Sequence, residues 1–281
     1  MRMHSFGSTG QNVPVIGQGT WYIERGPRAE AVAALRQGMD AGLTHIDTAE
    51  MYGNGEAEQV VAEAIARRRD QAFLVSKVLP QNATRGGVIK ACDSSLARLK
   101  TDYLDCYLLH WPGSHPLAGT IESFERLKKE GKIRAWGVSN FDVGELEEAR
   151  SIAGDGVIAC NQVLYHLGER AIEHAVLPWC EKHKVALVGY SPFGHDAFPA
   201  PNTPGGYVLA ETAKSHGATL RQVALAFLTR RPSLFTIPKA ATPAHVADNA
   251  KAGNLALSAA QTAAIDYAFP LGRKGRPLPM L

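Results

Sequence analysis

The run Leu104-Asp105-Cys106-Tyr107-Leu108-Leu109-His110 keeps apolar side chains on consecutive positions from Cys106 to Leu109. A strand with one wet face alternates apolar and polar residues, whereas a strand apolar at successive positions is covered on both faces, as in parallel sheets roofed by helices. Similar short apolar runs occur at 16–19, 44–47, 73–77, 133–138, 157–163, 185–190 and 234–238. Between them lie longer stretches of helical period at 28–41, 56–68, 87–100, 119–129, 143–152 and 170–182, with further helical candidates after Gly206, Thr219 and Thr242. Eight strand–helix units in a chain of 281 residues predict an α/β fold, a (β/α)8 TIM barrel forming one domain over 1–281.

Both ends carry additions. Residues 6–15, with the turn Gly7-Ser8-Thr9-Gly10, read as an N-terminal β-hairpin. Thr242-Pro243 places a cap before a first-turn proline, and Ser258-x-x-Gln261 is a capping box, so an extra C-terminal helix is expected at 258–269. The tail 270–281, with three prolines and several basic residues, is expected to be a mobile loop.

Composition excludes several classes. With 45% hydrophobic residues the chain can bury a large core, and a net charge of +3 from scattered basic residues gives no nucleic-acid footprint. The densest basic run, Arg67-Arg68-Arg69, reads as cations at a helix C-terminus. Cys92, Cys106, Cys160 and Cys180 are far apart and read as reduced, buried thiols. No apolar run is long enough for a membrane span, so a soluble, cytoplasmic monomer is expected. Ten histidines invite a metal-dependent hydrolase, but they are dispersed without His-x-His or His-Glu-x-x-His, and no metal is expected.

In such a barrel the active site lies at the C-terminal ends of the strands. Asp47, Lys77 and His110 each end an apolar run, one strand–helix unit apart, so their side chains converge on one mouth. A structural ion pair and a satisfied histidine would explain these residues equally well. Tyr52, five residues past Asp47, shifts the balance toward chemistry. A phenol titrates near pH 10, and a nearby ammonium is expected to lower that value. Lys77 would supply the charge and Asp47 would position it. Tyr52 would then protonate a carbonyl oxygen while His110 orients that oxygen, a constellation suited to carbonyl reduction by a hydride donor.

The chain resembles the aldo-keto reductase superfamily over nearly its whole length. The resemblance is carried by Gly19-Thr20-Trp21, Gly42 to Ala49 with Tyr52, Ser76-Lys77, Asp102 to Trp111, Gly131 to Asn140, Asn161-Gln162, Tyr190-Ser191-Pro192 and Ile237-Pro238-Lys239, in family order. It implies Asp47, Tyr52, Lys77 and His110 as a catalytic tetrad with Tyr52 as general acid. It also implies a nicotinamide cofactor bound without a Rossmann domain, consistent with Gly17-x-Gly19-x-x-Tyr22 lacking the third glycine.

By the same resemblance Ser139, Asn140 and Gln162 hold the carboxamide and Tyr190 stacks on the nicotinamide ring, although alone Tyr190 could be a core aromatic. Gly19, Thr20, Trp21 and Asp47 are implied beside them. Positions Ser191, Pro192 and Phe193, with Ile237, Pro238, Lys239, Ala240 and Ala241, are implied at the pyrophosphate and adenosine end. Lys239 resembles the residue that contacts a ribose 2′-phosphate. Ala240 stands where a serine is common and His245 where an arginine is common, while Asp248 and Asn249 match positions that read the adenine. NADPH is therefore the expected cofactor, with NADH use possible.

Trp21 and Trp111 flank the tetrad, near Tyr22, and with Tyr52 and His110 would form an aromatic substrate pocket, though tryptophans also serve as core fillers. The segments 17–22, 47–52 and 161–166 most resemble a bacterial branch that includes methylglyoxal reductases. Small aldehydes, α-oxoaldehydes or ketones are the implied substrates. The proline-rich loop 192–206 is either a flap over the cofactor or a plain surface connection. The alternative function is a catalytically weak nicotinamide-binding regulatory subunit on the same fold.

Overall fold

The computed structural model describes residues 1–195, 197–275 and 277–281. The hairpin strands β1 (Met3–Ser5) and β2 (Asn12–Pro14) pair antiparallel. Eight parallel strands follow: β3 (Gln18–Gly19), β4 (His45–Asp47), β5 (Phe73–Val78), β6 (Leu104–Leu109), β7 (Ile133–Ser139), β8 (Ile158–Leu164), β9 (Ala186–Tyr190) and β10 (Leu234–Thr236), each hydrogen-bonded to the next. Parallel bridges Ile16–Thr236 and Gly19–Lys239 join the first and last strands and close the barrel. Glycine is needed at that seam, because a Cβ on Gly19 would lie 2.6 Å from the Ile237 carbonyl oxygen.

Helices α1 (Arg28–Asp40), α2 (Glu56–Ile65), α3 (Arg85–Leu99), α4 (Leu117–Lys129), α5 (Val143–Ala153) and α6 (Val176–Lys182) each follow one strand. Then α7 (Pro204–His216) and α8 (Leu220–Leu228) lie between β9 and β10, and α9 (Pro243–Ala252) and α10 (Ala259–Ala268) complete the chain. The expected barrel, hairpin and extra helix are thus present. Capping boxes start α5 (Asp142 with Glu145), α8 (Thr219 with Gln222) and α10 (Ser258 with Gln261). Each cap of this kind stabilises its helix by about 1 kcal/mol.

Several boundaries differ from the sequence reading. The hairpin arms begin at Met3, and Gly7–Thr9 is a tight helical turn closed by Gly10 at φ 72°. Helix α2 stops at Ile65, with Arg67 in the left-handed region at φ 62°, so the arginine run lies beyond the helix end. Instead Arg68 donates to Asp40 at 2.6 Å, and Arg69 donates to Asp105 at 2.7 Å and to the Tyr103 carbonyl at 2.9 Å. These cations tie adjacent units together rather than complementing a helix terminus. The stretch 170–182 divides into a turn (Ala171–His174) and α6, because Pro178 lacks an N–H and is tolerated only in a first turn.

The N-terminal end of the barrel is plugged by aromatic rings, with Phe6 at 4.8 Å from Phe73 and 5.1 Å from Phe235. His45 is wholly buried among them, and neither ring nitrogen has a hydrogen-bond partner among the described residues. Burial, and secondarily the Lys77 charge, push its pKa down from 6.5 to about 3. Between those values the unfolded chain binds a proton that the folded chain refuses, so stability is complete above pH 6.5 and declines as the pH falls toward 3. The loss is on the order of 4 to 5 kcal/mol. His45→Leu is expected to flatten the pH dependence of the urea unfolding midpoint across this window. An unchanged slope would place the acid sensitivity in other groups.

Candidate active site

Strand pairing sets Asp47 of β4 beside β5, and the two side chains meet inside the mouth of the barrel. Lys77 Nζ donates to Asp47 Oδ1 at 2.5 Å, to the Thr48 carbonyl at 2.9 Å and to the Tyr52 hydroxyl oxygen at 3.2 Å. Lys77 is 0% and Asp47 1% exposed, so the pair is held without solvent. The second carboxylate oxygen accepts from Gln162 Nε2 at 2.7 Å, which ties β8 to the ion pair. Buried charges persist when each is paired and hydrogen-bonded in this way.

Burial pulls the Lys77 ammonium's pKa down, but the Asp47 carboxylate and the Tyr52 oxygen hold it above its ordinary value. Burial pushes the Asp47 carboxyl upward, against Lys77 and Gln162. With the lysine protonated at 2.5 Å, the pair is an ion pair at neutral pH. For Tyr52 the sequence reading needs correction. Burial raises its pKa more than Lys77 lowers it, so the hydroxyl holds its proton more firmly than a free phenol does. The lysine offsets this burial effect without reversing it, so its leverage on the phenolate appears only as the proton leaves.

His110 lies beyond the end of β6, its ring 5.7 Å from the Tyr52 ring in edge-to-face contact. Burial, with the Lys77 charge, pushes its pKa well down, so the imidazole is neutral. A neutral ring donates from one nitrogen only, and its Nδ1 is buried without a partner among the described residues.

Asp47, Tyr52 and His110 line a cavity of about 570 Å³, and Lys77, wholly buried, is not among its lining residues and meets it only through its bonds to Asp47 and Tyr52. Of the residues expected at the cofactor and substrate sites, Gly19, Thr20, Trp21, Asp47, Tyr52, His110, Trp111, Ser139, Asn140, Gln162, Tyr190, Ser191, Pro192, Phe193, Ile237 and Lys239 line it. Ser139 donates to the Gln162 carbonyl at 2.9 Å, Asn140 Nδ2 to Ser139 Oγ at 3.2 Å, and the Tyr190 hydroxyl to Asn140 Oδ1 at 3.0 Å. Tyr22, Asn140 and Ser191 all line this cavity with positive φ of 62°, 60° and 51°. Such backbone is rare for these residues and clusters where ligands are held.

Pro238, Ala240, Ala241, His245, Asp248 and Asn249 are not among the lining residues. The Pro238 carbonyl accepts from Gly19, Ala240 is packed in the core and Asn249 is buried. The Asp248 carboxylate accepts from Gln222 Nε2 at 2.7 Å and Thr219 Oγ1 at 3.2 Å. His245 is exposed in the first turn of α9.

The cavity also takes residues that sequence reasoning missed: Met51, Gly194, His195, Met280 and Leu281. His195 stacks over Trp21 at 6.1 Å, and Trp21 stacks on Tyr22 at 4.5 Å. Met51 could have been found from its place beside Tyr52. The tail, expected to be a mobile loop, instead returns to the barrel mouth and borders the cavity. Its approach starts from α10, which Arg170 clamps by donating to Asp266 and to the Phe269 carbonyl, both at 2.5 Å. Of loop 192–206, Pro192 through His195 line the cavity, and Pro204 already opens α7.

The lining set suits a nicotinamide nucleotide: an aromatic face on Tyr190, amide and hydroxyl groups from Ser139, Asn140 and Gln162, and a cation on Lys239. Among the described residues no group of three or more His, Cys, Asp or Glu is placed to hold a metal ion, and no helix is long and apolar enough to cross a membrane.

Comparison with known proteins agrees with this geometry. The model of the aldo/keto reductase family matches residues 15–269. The chain is 45% identical over 272 residues to methylglyoxal reductase YeaE of Escherichia coli (strain K12), covering 96% of each chain. It is 32% identical over 249 residues to a glyoxal reductase of Bacillus subtilis (strain 168), covering 89% of this chain and 86% of that one. An aldo/keto reductase from Klebsiella pneumoniae, crystallised in complex with NADP and acetate, superposes over 100% of both chains with a TM-score of 0.93 and 43% identity.

Proposed function

The chain belongs to the aldo/keto reductase family, an oxidoreductase family, and on that premise we propose that it reduces small aldehydes and α-oxoaldehydes of the methylglyoxal kind to alcohols with NADPH. The observation that carries this reading is the buried Lys77 ammonium, hydrogen-bonded at once to the Asp47 carboxylate and the Tyr52 hydroxyl, two groups that line the cavity of about 570 Å³.

When bound, the reduced nicotinamide supplies a hydride to the carbonyl carbon. The chain does the rest. Ser139, Asn140 and Gln162 hold the carboxamide, and the Tyr190 ring fixes the face presented to the substrate. The neutral His110 imidazole donates a hydrogen bond that places the carbonyl oxygen beside the Tyr52 hydroxyl. As negative charge gathers on that oxygen, Tyr52 releases its proton to it, and the nearby ammonium of Lys77 stabilises the phenolate left behind. Asp47 keeps the lysine charged in a dry site. Trp21, Trp111 and His195 give the substrate end aromatic walls, which suit a small compound with some apolar surface.

Lys239 would meet the 2′-phosphate as a point cation. Consumption of reduced cofactor, followed by its absorbance, is expected with methylglyoxal and aromatic aldehydes well above long-chain or steroid ketones. In the same assay Lys239→Ala is expected to weaken NADPH binding about tenfold or more while barely changing NADH. No turnover with any small carbonyl would remove the catalytic reading, and equal losses for the two nucleotides would remove the phosphate role of Lys239.

A further inference from the structure

Lys239 is the only lysine or arginine among the described residues lining the cavity. A 2′-phosphate alone carries about −1.5 to −2 charge at pH 7, and the pyrophosphate adds more, so one lysine leaves much of that charge unmatched. A second cation sits against this end of the cavity: Arg221, in the first turn of α8, over the ring of Phe193.

Its guanidinium carbon sits 4.8 Å from the Phe193 ring centroid and 4.9 Å from that of Phe198, and the two rings meet edge to face at 5.7 Å. Phe193 is itself a cavity-lining residue and packs against the core cluster holding Ala240 and Val246, just beyond Lys239. The start of α8 is docked on α9 by the bonds of Thr219 and Gln222 to Asp248. Arg221 is therefore held where Phe193, Phe198 and the start of α8 meet α9 and the cluster of Ala240 and Val246. No carboxylate pairs with it among the described residues, whereas Arg170 and Arg230 are both bound to Glu173. A guanidinium stacked on aromatic faces keeps its edge N–H groups free for an anion.

We propose that Arg221, clamped by Phe193 and Phe198, is a phosphate-recognition residue for the nucleotide this cavity takes, an inference that rests on the NADPH reading above. Phosphate bound there would also draw Phe193 and its loop against the nucleotide, so Arg221 couples charge recognition to the position of the loop.

The test is binding of NADPH and NADH to the wild type, Arg221→Ala and Arg221→Lys, followed by quenching of tryptophan fluorescence at low and high salt. Arg221→Ala is expected to raise the NADPH dissociation constant about tenfold, the scale of losing one charge-assisted hydrogen bond, and to flatten its salt dependence. Arg221→Lys should recover part of the affinity by restoring the charge. Loss for NADPH alone would assign the contact to the 2′-phosphate, and loss for both nucleotides with a flattened salt response to the pyrophosphate. Unchanged affinity in Arg221→Ala, or an affinity loss with the salt response intact, would overturn the proposal, the latter marking Arg221 as a loop support. Wild-type protein that binds neither nucleotide would overturn the NADPH reading itself.

Discussion

Tyr52→Phe is expected to reduce methylglyoxal turnover by at least about a hundredfold while NADPH binding stays near the wild-type value, the usual scale for losing a general acid. The substitution removes one oxygen and leaves the ring, so its edge contact with His110 and the cation over its face, 4.8 Å from Lys77 Nζ to the centroid, are retained. What disappears is the only group among the described residues lining the cavity that combines a firmly held proton with a cation ready to stabilise its loss. Burial raises the Tyr52 pKa, so the hydroxyl is protonated throughout the neutral range, as an acid must be before it acts. The charge of Lys77 then acts on the phenolate form, which exists only as the reaction proceeds. Undiminished turnover in this variant would mean that the proton comes from His110 or from water.

Lys77→Met should be the more damaging change, because it attacks stability and chemistry together. Asp47, 1% exposed, would keep only the amide of Gln162, and the Thr48 carbonyl would lose its donor. Breaking a buried ion pair by removing one partner destabilises by about 3–5 kcal/mol, since the remaining charge is left in a medium that cannot solvate it. Urea unfolding is expected to show that loss, with turnover also down by at least about a hundredfold. The double variant Asp47→Asn with Lys77→Met should regain part of the stability and none of the activity. Restored turnover in the double variant would show that the pair serves only to hold the barrel mouth together.

Much of this protein was legible in its sequence because the signals are local. Consecutive apolar positions such as Cys106 to Leu109 announce a strand covered on both faces, and the cap at Thr242-Pro243 and the box at Ser258 mark helix starts within a residue or so. Asp47, Lys77 and His110 were found because each ends such a run, and barrel topology carries strand ends to one mouth. The boundaries that shifted did so for reasons of backbone detail, as where Arg67 takes a positive φ and ends α2 early, or Pro178 forces a new helix start.

Sequence alone thus determined the alternation of strand and helix, the barrel it implies, and which polar side chains converge, since periodicity and chain order are properties of neighbouring residues. Only the tertiary structure decided that the 280–281 tail borders the cavity, that Arg68 and Arg69 bind Asp40 and Asp105, and that Arg221 rests on two phenylalanines. It also reversed the expected sign for Tyr52. The reason is common to all four: desolvation and contact arise between elements distant in the chain, and the balance between burial and a nearby charge exists only once those elements have packed.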